Sequence, residues 1–393
     1  MMLQSLMNRA KLIWLMTAGR DRKKVLHLVS ALTKSAKGET SVSMSADERA
    51  VVEEIVETTH DHNRNNLTRT AAYLRFYRRW PEVHWAFLAH MVSRNGGFSM
   101  TDVKGEWFTR VATGAQRDHF FAFLERANWL IFGDAYPQLL LYEKCETLGR
   151  DLTHLLPAFG VSRFMPPIWK AFLQTKDSSL LTHALIINEQ NFIESRIIAS
   201  PNYDDEVIFT LEFQMQAVLG LNQVLFPYRD TTTSACRLAG ATVSQFASLQ
   251  ARIGTGKRLY SILFRDPSIH AAILDFAART EHTGSRRDYW PDVFTDEPPG
   301  GALAEHYSPC FLQAPRPGRQ IYSPRLRDAW ADVEHPAAER GDWFVDMSSI
   351  VHLFTPDTAL PVDFTSEYTD AGKTVEHIIL AKEKLASLAK PFV

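Results

Sequence analysis

The chain has 393 residues, 45% of them apolar and 22% charged, with a formal net charge of −2. That balance is typical of a globular protein and excludes a fibrous or an extended disordered chain, and the near-zero net charge provides no field that would favour nucleic acid. Cys145, Cys236 and Cys310 are odd in number and far apart, without a zinc-like spacing, which points to a reducing, cytoplasmic setting. No stretch approaches the roughly 18 apolar residues of a membrane span, and the apolar run within Lys11–Ala18 is too short for a signal peptide.

The first forty residues hold Arg9, Lys11, Arg20, Arg22, Lys23, Lys24, Lys34 and Lys37 against only Asp21 and Glu39. Leu3, Leu6, Met7, Ala10, Ile13 and Trp14 share one helical face, and Val25, Leu28, Val29 and Leu32 repeat the pattern after a break at Gly19–Asp21. A basic amphipathic unit over 1–44 follows. It admits two readings: peripheral contact of residues 1–37 with an anionic membrane, or docking on the remainder of the fold.

From Ser45 to Arg279 the periodicity is helical almost throughout. Ser45 and Glu48 form a capping-box pattern ahead of a helix over 46–60. Another helix is expected over 67–80, with Asn66 or Thr68 as its cap. The next opens at Pro81 and ends at Asn95, with Gly96-Gly97 as a C-terminal cap. Further helices are predicted at 115–132, 136–149, 165–175, 178–199, 205–226, 234–252 and 257–278. Ten of the nineteen prolines then fall between Pro291 and Pro361, so 280–372 reads as an irregular extension ordered by its aromatic residues, followed by a closing helix over 373–390. The expected fold class is all-α, an orthogonal or bundle-like array over 45–279 with a proline-rich C-terminal extension.

Familiar chemical motifs are tested and rejected. Gly254-Thr255-Gly256-Lys257 has Ala251 and Arg258 where a phosphate loop needs Gly and Ser or Thr, and reads better as a basic loop opening a helix at Lys257. Glu57 and His60 share a helical face with Glu53, Glu54 and Asp61, the signature of a solvated surface. His84 and His90 are rotated by about 120° from each other and are poorly placed to share a metal. No metal and no cofactor is expected.

Three polar segments sit in apolar surroundings. The first, His60–Thr70, carries Asn63, Arg64, Asn66 and Arg69 beside a helix N-terminus suited to an anion. The second runs from Pro81 to Gly97 and holds His84, whose helical neighbours Trp80, Pro81, Phe87 and Leu88 are all apolar, with Arg94 and Asn95 further on. The third is Asn188-Glu189-Gln190-Asn191. Glu189 is flanked at helical spacing by Leu185, Ile186, Phe192 and Ile193, so its carboxyl is expected to be buried and to need a partner such as Arg64, Arg69, Arg94 or His84. Glu212 is a second candidate of the same kind.

The runs Asn66–Tyr73, Pro81–His90 and Ser93–Gly97 with Met100-Thr101-Asp102 resemble the YppC-like family of bacterial proteins, a domain of unknown function; the resemblance extends to Ile187–Asn191 and His282–Pro291. It implies a bacterial cytoplasmic setting and no mechanism. Two functional readings stand side by side. One is a helical binding or scaffold protein with a buried polar network and a small anionic ligand or a protein as partner. The other is an enzyme in which Glu189 and His84 act as acid and base and an arginine-lined pocket, with Asn63, Arg64, Asn66, Arg69, Arg94, Asn95, Asn188 and Asn191 around it, binds an anionic small molecule.

Overall fold

A computed structural model describes residues 22–37, 43–198, 222–230, 233, 235–243, 245–299, 306–313, 318–345, 347–355 and 363–389. Within them the fold is mainly helical. Helix α1 (Arg22–Lys37) buries Val25, Leu28 and Leu32 and packs on α7 (Met165–Thr175). It is clamped there by Ser35 Oγ donating to the Arg163 carbonyl at 2.6 Å and Arg163 Nη1 donating to the Ala36 carbonyl at 3.0 Å. The second half of the basic amphipathic unit is therefore docked on the body; the stripe from Leu3 to Trp14 lies outside the described residues.

Helix α2 (Ala46–His62) opens on the expected capping box of Ser45 with Glu48. Helix α3 (Asn66–Arg79) is capped by Asn65, one residue before the predicted caps, with Thr68 returning the bond. Helix α4 (His84–Asp102) differs most from expectation. It starts after Val83 rather than at Pro81, and it runs straight through Gly96-Gly97 instead of ending there. The reason is steric: a Cβ on Gly97 would lie 2.4 Å from Asn66 Oδ1 and 2.5 Å from His282 Nε2. Gly97 thus lets α3 and the 282 loop close onto α4, a packing role rather than a cap.

The short α5 (Glu106–Val111) leads into α6 (Gly114–Leu148), which unites the two predicted helices across Pro137. The lost backbone donor is tolerated because buried Tyr136, Leu139 and Tyr142 hold the second half in the core. Helix α8 (Ser178–Ile193) is apolar on nearly every side and is packed by α4, α6, α7 and α9 (Leu249–Phe264), as an all-round hydrophobic helix must be. A π-helical turn, Glu194–Ile198, extends it. The predicted helix over 257–278 divides at Asp266 into α9 and α10 (Pro267–Arg279), Asp266 capping the latter with Pro267 in its first turn. Gly254–Lys257 lies inside α9 and not in a loop. A Cβ on Gly256 would come within 2.8 Å of Ile186 Cγ2, so this glycine brings α9 against α8.

The second correction concerns 223–242, where helices were predicted. Strands β1 (Gln223–Arg229) and β2 (Cys236–Thr242) form an antiparallel hairpin, Phe226 opposite Ala239. The outer edge of β1 meets α4 instead of a third strand: Asn95 accepts from Leu225 N–H at 3.0 Å and donates to the Gln223 carbonyl at 3.3 Å. The remainder of the predicted helix 205–226, with Val207–Thr210 and Glu212, lies outside the described residues.

Described parts of the proline-rich region contact the helical body. Arg286 forks onto Asp102 of α4, Nη2 to Oδ2 being 2.6 Å. Two short strands, β3 (Phe294–Thr295) and β4 (Ile321–Tyr322), pair in parallel, and α11 (Leu326–Ala329) follows. Residues 331–342 have no regular secondary structure, and three of their carbonyls are held by Arg126 of α6 (to Pro336, 2.6 Å) and Arg196 of the π-helical turn (to Glu339, 3.1 Å, and Gly341, 2.9 Å). The closing helix α12 (Thr365–Ala389) begins earlier than predicted, and its buried Glu376 accepts Tyr307 Oη and the backbone N–H groups of Cys310, Phe311 and Leu312. No helix among the described residues is long and apolar enough to cross a membrane.

Candidate functional site

Helices α4, α6, α8 and α9 do not close on one another completely. Between them and the start of the hairpin is a cavity of about 270 Å³, far beyond a packing defect and close to the smaller ligand sites of proteins. Its walls are mostly apolar: Trp85, Leu88 and Val92 from α4, Phe123 and Ile131 from α6, Ile186 from α8, Leu259 from α9, and Phe246 before it. Tyr73 of α3, Ala89 of α4 and the polar residues Ser93, Asn95, Asn128, Glu189, Gln190, Arg252 and Thr255 also line it.

Glu189 is half-buried, and its carboxyl borders the cavity. Burial pushes its pKa up to about 7, a hydrogen bond from Gln190 and the nearby Trp85 side chain pull against the rise, and the charge of Asp134 adds to it. Gln190 Nε2 donates to Glu189 Oε1 at 2.8 Å, while Gln190 Oε1 accepts from Arg252 Nε at 3.0 Å. Arg252 itself is buried, with Nη1 donating to the Phe246 carbonyl at 2.6 Å and Nη2 paired with Glu194 in the π-helical turn. Each guanidinium nitrogen thus makes one such contact, the charge is paired with Glu194, and an uncharged amide links it to Glu189. Burial also raises the Tyr73 phenol well above its usual range, and Glu189 adds to the effect.

Of the candidate site residues, Glu189 and Asn95 line this cavity, as do Gln190 of the same segment and Thr255 and Gly256 of the rejected phosphate-loop run; His84, Asn63, Arg64, Asn66, Arg69, Arg94, Asn188 and Asn191 do not. The partner expected for Glu189 among Arg64, Arg69, Arg94 and His84 is not there: its hydrogen bond comes from Gln190 of its own helix, and from residues 60–97 the Trp85 side chain lies near enough to hold its pKa down. Consecutive residues on a helix point about 100° apart, so where Trp85 faces the cavity, His84 faces α9 and α10. His84 Nδ1 lies 3.0 Å from Tyr260 Oη and its ring stacks on Phe264 at 4.0 Å. Burial, with His270 nearby, lowers its pKa to about 4 and leaves it neutral.

The remaining candidates belong to separate buried networks. Asn63 accepts from Arg69 at 3.3 Å and donates to the Trp129 carbonyl at 3.1 Å, and Arg69 pairs with Glu125 at 2.5 Å with both side chains buried. Asn66 donates to the Ser93 carbonyl at 2.8 Å and its Oδ1 lies 2.9 Å from His282 Nε2. Arg94 donates to the Glu281 carbonyl at 2.9 Å, lies 4.0 Å from Asp288 and stacks over Phe276. Asn188 joins Asp134 at 2.5 Å to the Trp343 indole at 2.9 Å. Asn191 bonds its own helix at the Ile187 carbonyl, and Arg64 is exposed. His90 is fixed by the Thr70 carbonyl at 2.8 Å, while Glu57 and His60 lie on an exposed face, as the pattern implied. Among the described residues no group of three or more His, Cys, Asp or Glu could hold a metal ion.

Sequence reasoning overlooked Asp134, three of whose helical neighbours, Leu130, Ile131 and Pro137, are apolar, a weaker form of the signal that singled out Glu189 because the fourth is Gln138. Burial lifts its pKa to about 7 as well. Arg252 was overlooked too. No local signal announces it, because its three acceptors come from the preceding loop, α8 and the π-helical turn.

A family model described as a protein of unknown function (DUF2515) matches residues 61–358, a span that includes every residue named around the cavity. The uncharacterized protein YppC of Bacillus subtilis (strain 168) is 42% identical over 240 residues, 61% of this chain and 73% of that protein. No solved structure matches.

Proposed function

The chain belongs to the DUF2515 family, and we propose that it is a binding protein that takes a small, largely apolar molecule into the cavity between α4, α6, α8 and α9. The observation that carries this reading is the cavity itself: apolar walls, with a few polar side chains converging from α8 and α9. The buried networks around Asn66, Arg69 and Asn188 then serve to fix the register of the surrounding helices. A cytoplasmic location goes with it, since the three cysteines are free.

The alternative, acid–base chemistry by Glu189 and His84 on an anionic molecule, has less support. His84 is held away from the cavity by Tyr260 and Phe264, and Arg69 and Arg94 are occupied by Glu125 and by Glu281 with Asp288. The test is binding of fragment-sized aromatic probes such as indole, followed by calorimetry, to the wild type and to Ala89→Leu, which narrows the cavity from α4. Wild-type binding weakened at least tenfold in the variant is expected; probes that bind both proteins equally well, or neither, overturn the reading.

A further inference from the structure

We propose that the ligand of this cavity carries a protonated amine on an apolar or aromatic body, with Glu189 as its counter-ion. The inference rests on the cavity being a binding site and assigns the class of molecule it takes.

The first observation is an unbalanced charge. Glu189 borders a mostly apolar cavity, and among the described residues its hydrogen bond comes from the neutral Gln190 amide, with the uncharged Trp85 side chain nearby. The stretch 199–221 contains Asp204, Asp205, Glu206 and Glu212 and no Lys, Arg or His, so its composition offers no cation. Asp134, behind α8, adds a further negative charge to the region rather than relieving it. An ionised carboxylate in such a place is held at a cost that a bound cation removes.

The second observation is the direction in which the polar groups point. Gln190 is oriented by Arg252: its carbonyl faces the guanidinium and its NH₂ faces Glu189, so the carboxylate keeps its remaining lone pairs for a donor from the cavity. Arg252, which also lines the cavity, already has its charge met by Glu194 and donates to Gln190 and the Phe246 carbonyl, so it is a weaker attraction for an anionic head group than an unpaired arginine would be. Tyr73, Trp85, Phe123 and Phe246 supply aromatic rings around the same space, which favour an ammonium group over a neutral one.

The experiment is calorimetric titration of the whole protein with three probes of matched shape: 2-phenylethylamine, 2-phenylethanol and 3-phenylpropanoate. The expected order at pH 8 is amine at least tenfold tighter than alcohol, and carboxylate weakest. Glu189→Gln should abolish the preference for the amine while retaining the binding of the alcohol, which doubles as a check on its fold. A second arm uses the wild type alone. The charged or titratable groups around Glu189 are Asp134 from α6 and Tyr73 from α3, with Arg252 and Glu194 beyond Gln190, and of these Asp134 protonates alongside it. At pH 5 the preference for amine over alcohol should collapse. Equal binding of amine and alcohol at pH 8, a preference for the carboxylate, or a preference that survives Glu189→Gln overturns the amine assignment and leaves the cavity as a site. Failure of all three probes to bind overturns both.

Discussion

Replacing Gly97 with alanine adds one methyl group where the structure has no room for it. The new Cβ would stand 2.4 Å from Asn66 Oδ1 and 2.5 Å from His282 Nε2, with the imidazole Cε1 at 2.8 Å. Asn66 cannot simply retreat: it is fully buried and bonded to the Ser93 carbonyl at 2.8 Å, the Ser93 hydroxyl at 3.2 Å and His282 at 2.9 Å. Overpacking of this kind costs about 1–3 kcal/mol, and each buried polar group left without its bond adds about 1–3 kcal/mol. Alanine returns about 1 kcal/mol in helix propensity, so with one such bond lost the net loss should be about 1–5 kcal/mol. Two neighbours calibrate the result. At Gly96 the added Cβ meets only the Asn128 side chain, at 3.5 Å, and at Gly254 of α9 nothing lies within 4 Å; both alanine variants should be neutral or gain up to about 1 kcal/mol. Urea unfolding followed by circular dichroism measures all three. Gly97→Ala as stable as Gly96→Ala would refute the close approach of α3 and the 282 loop to α4.

The other expectations concern charge. Glu189 moves from 4.5 to about 7 on folding: the native state binds the extra proton between these values, so stability falls as pH rises through them and the penalty, about 3 kcal/mol, is complete above about pH 7. Without ligand, Glu189→Gln should therefore raise stability at pH 8 and leave it unchanged below pH 4; a loss at pH 8 would mean that a cation holds the carboxylate. Arg69→Met, which strands buried Glu125, should cost about 3–5 kcal/mol, and Arg69→Met with Glu125→Leu should recover most of it; a double variant no better than the single one argues against the pair. Glu376→Gln turns an NH₂ towards donors that include the N–H groups of residues 310–312. Amide exchange there should accelerate about 30-fold, corresponding to about 2 kcal/mol, while exchange in α8 stays unchanged; unaltered protection at 310–312 would show that the segment is held by other contacts.

Much of the architecture was legible locally. The capping box at Ser45 and Glu48, the helices of 46–79 and 165–193, and the change of texture after residue 280 all follow from relations spanning at most a few residues. The apolar encirclement of Glu189 was equally visible, because side chains three and four positions apart necessarily share a helical face, but the carboxyl expected to be buried is half-buried beside a cavity. Tertiary structure decided the rest. The hairpin at 223–242 depends on Asn95, about 130 positions earlier, completing the edge of β1. Gly96-Gly97 has the composition of a helix end, yet α4 continues because Gly97 is needed where Asn66 and His282 close in. Glu189 and His84 were both recognised as polar groups in apolar settings, but periodicity does not say which neighbour each face meets. One helical step separates Trp85, turned to the cavity, from His84, turned to Tyr260 and Phe264, and that rotation is settled only by how α4 packs against α8 and α9.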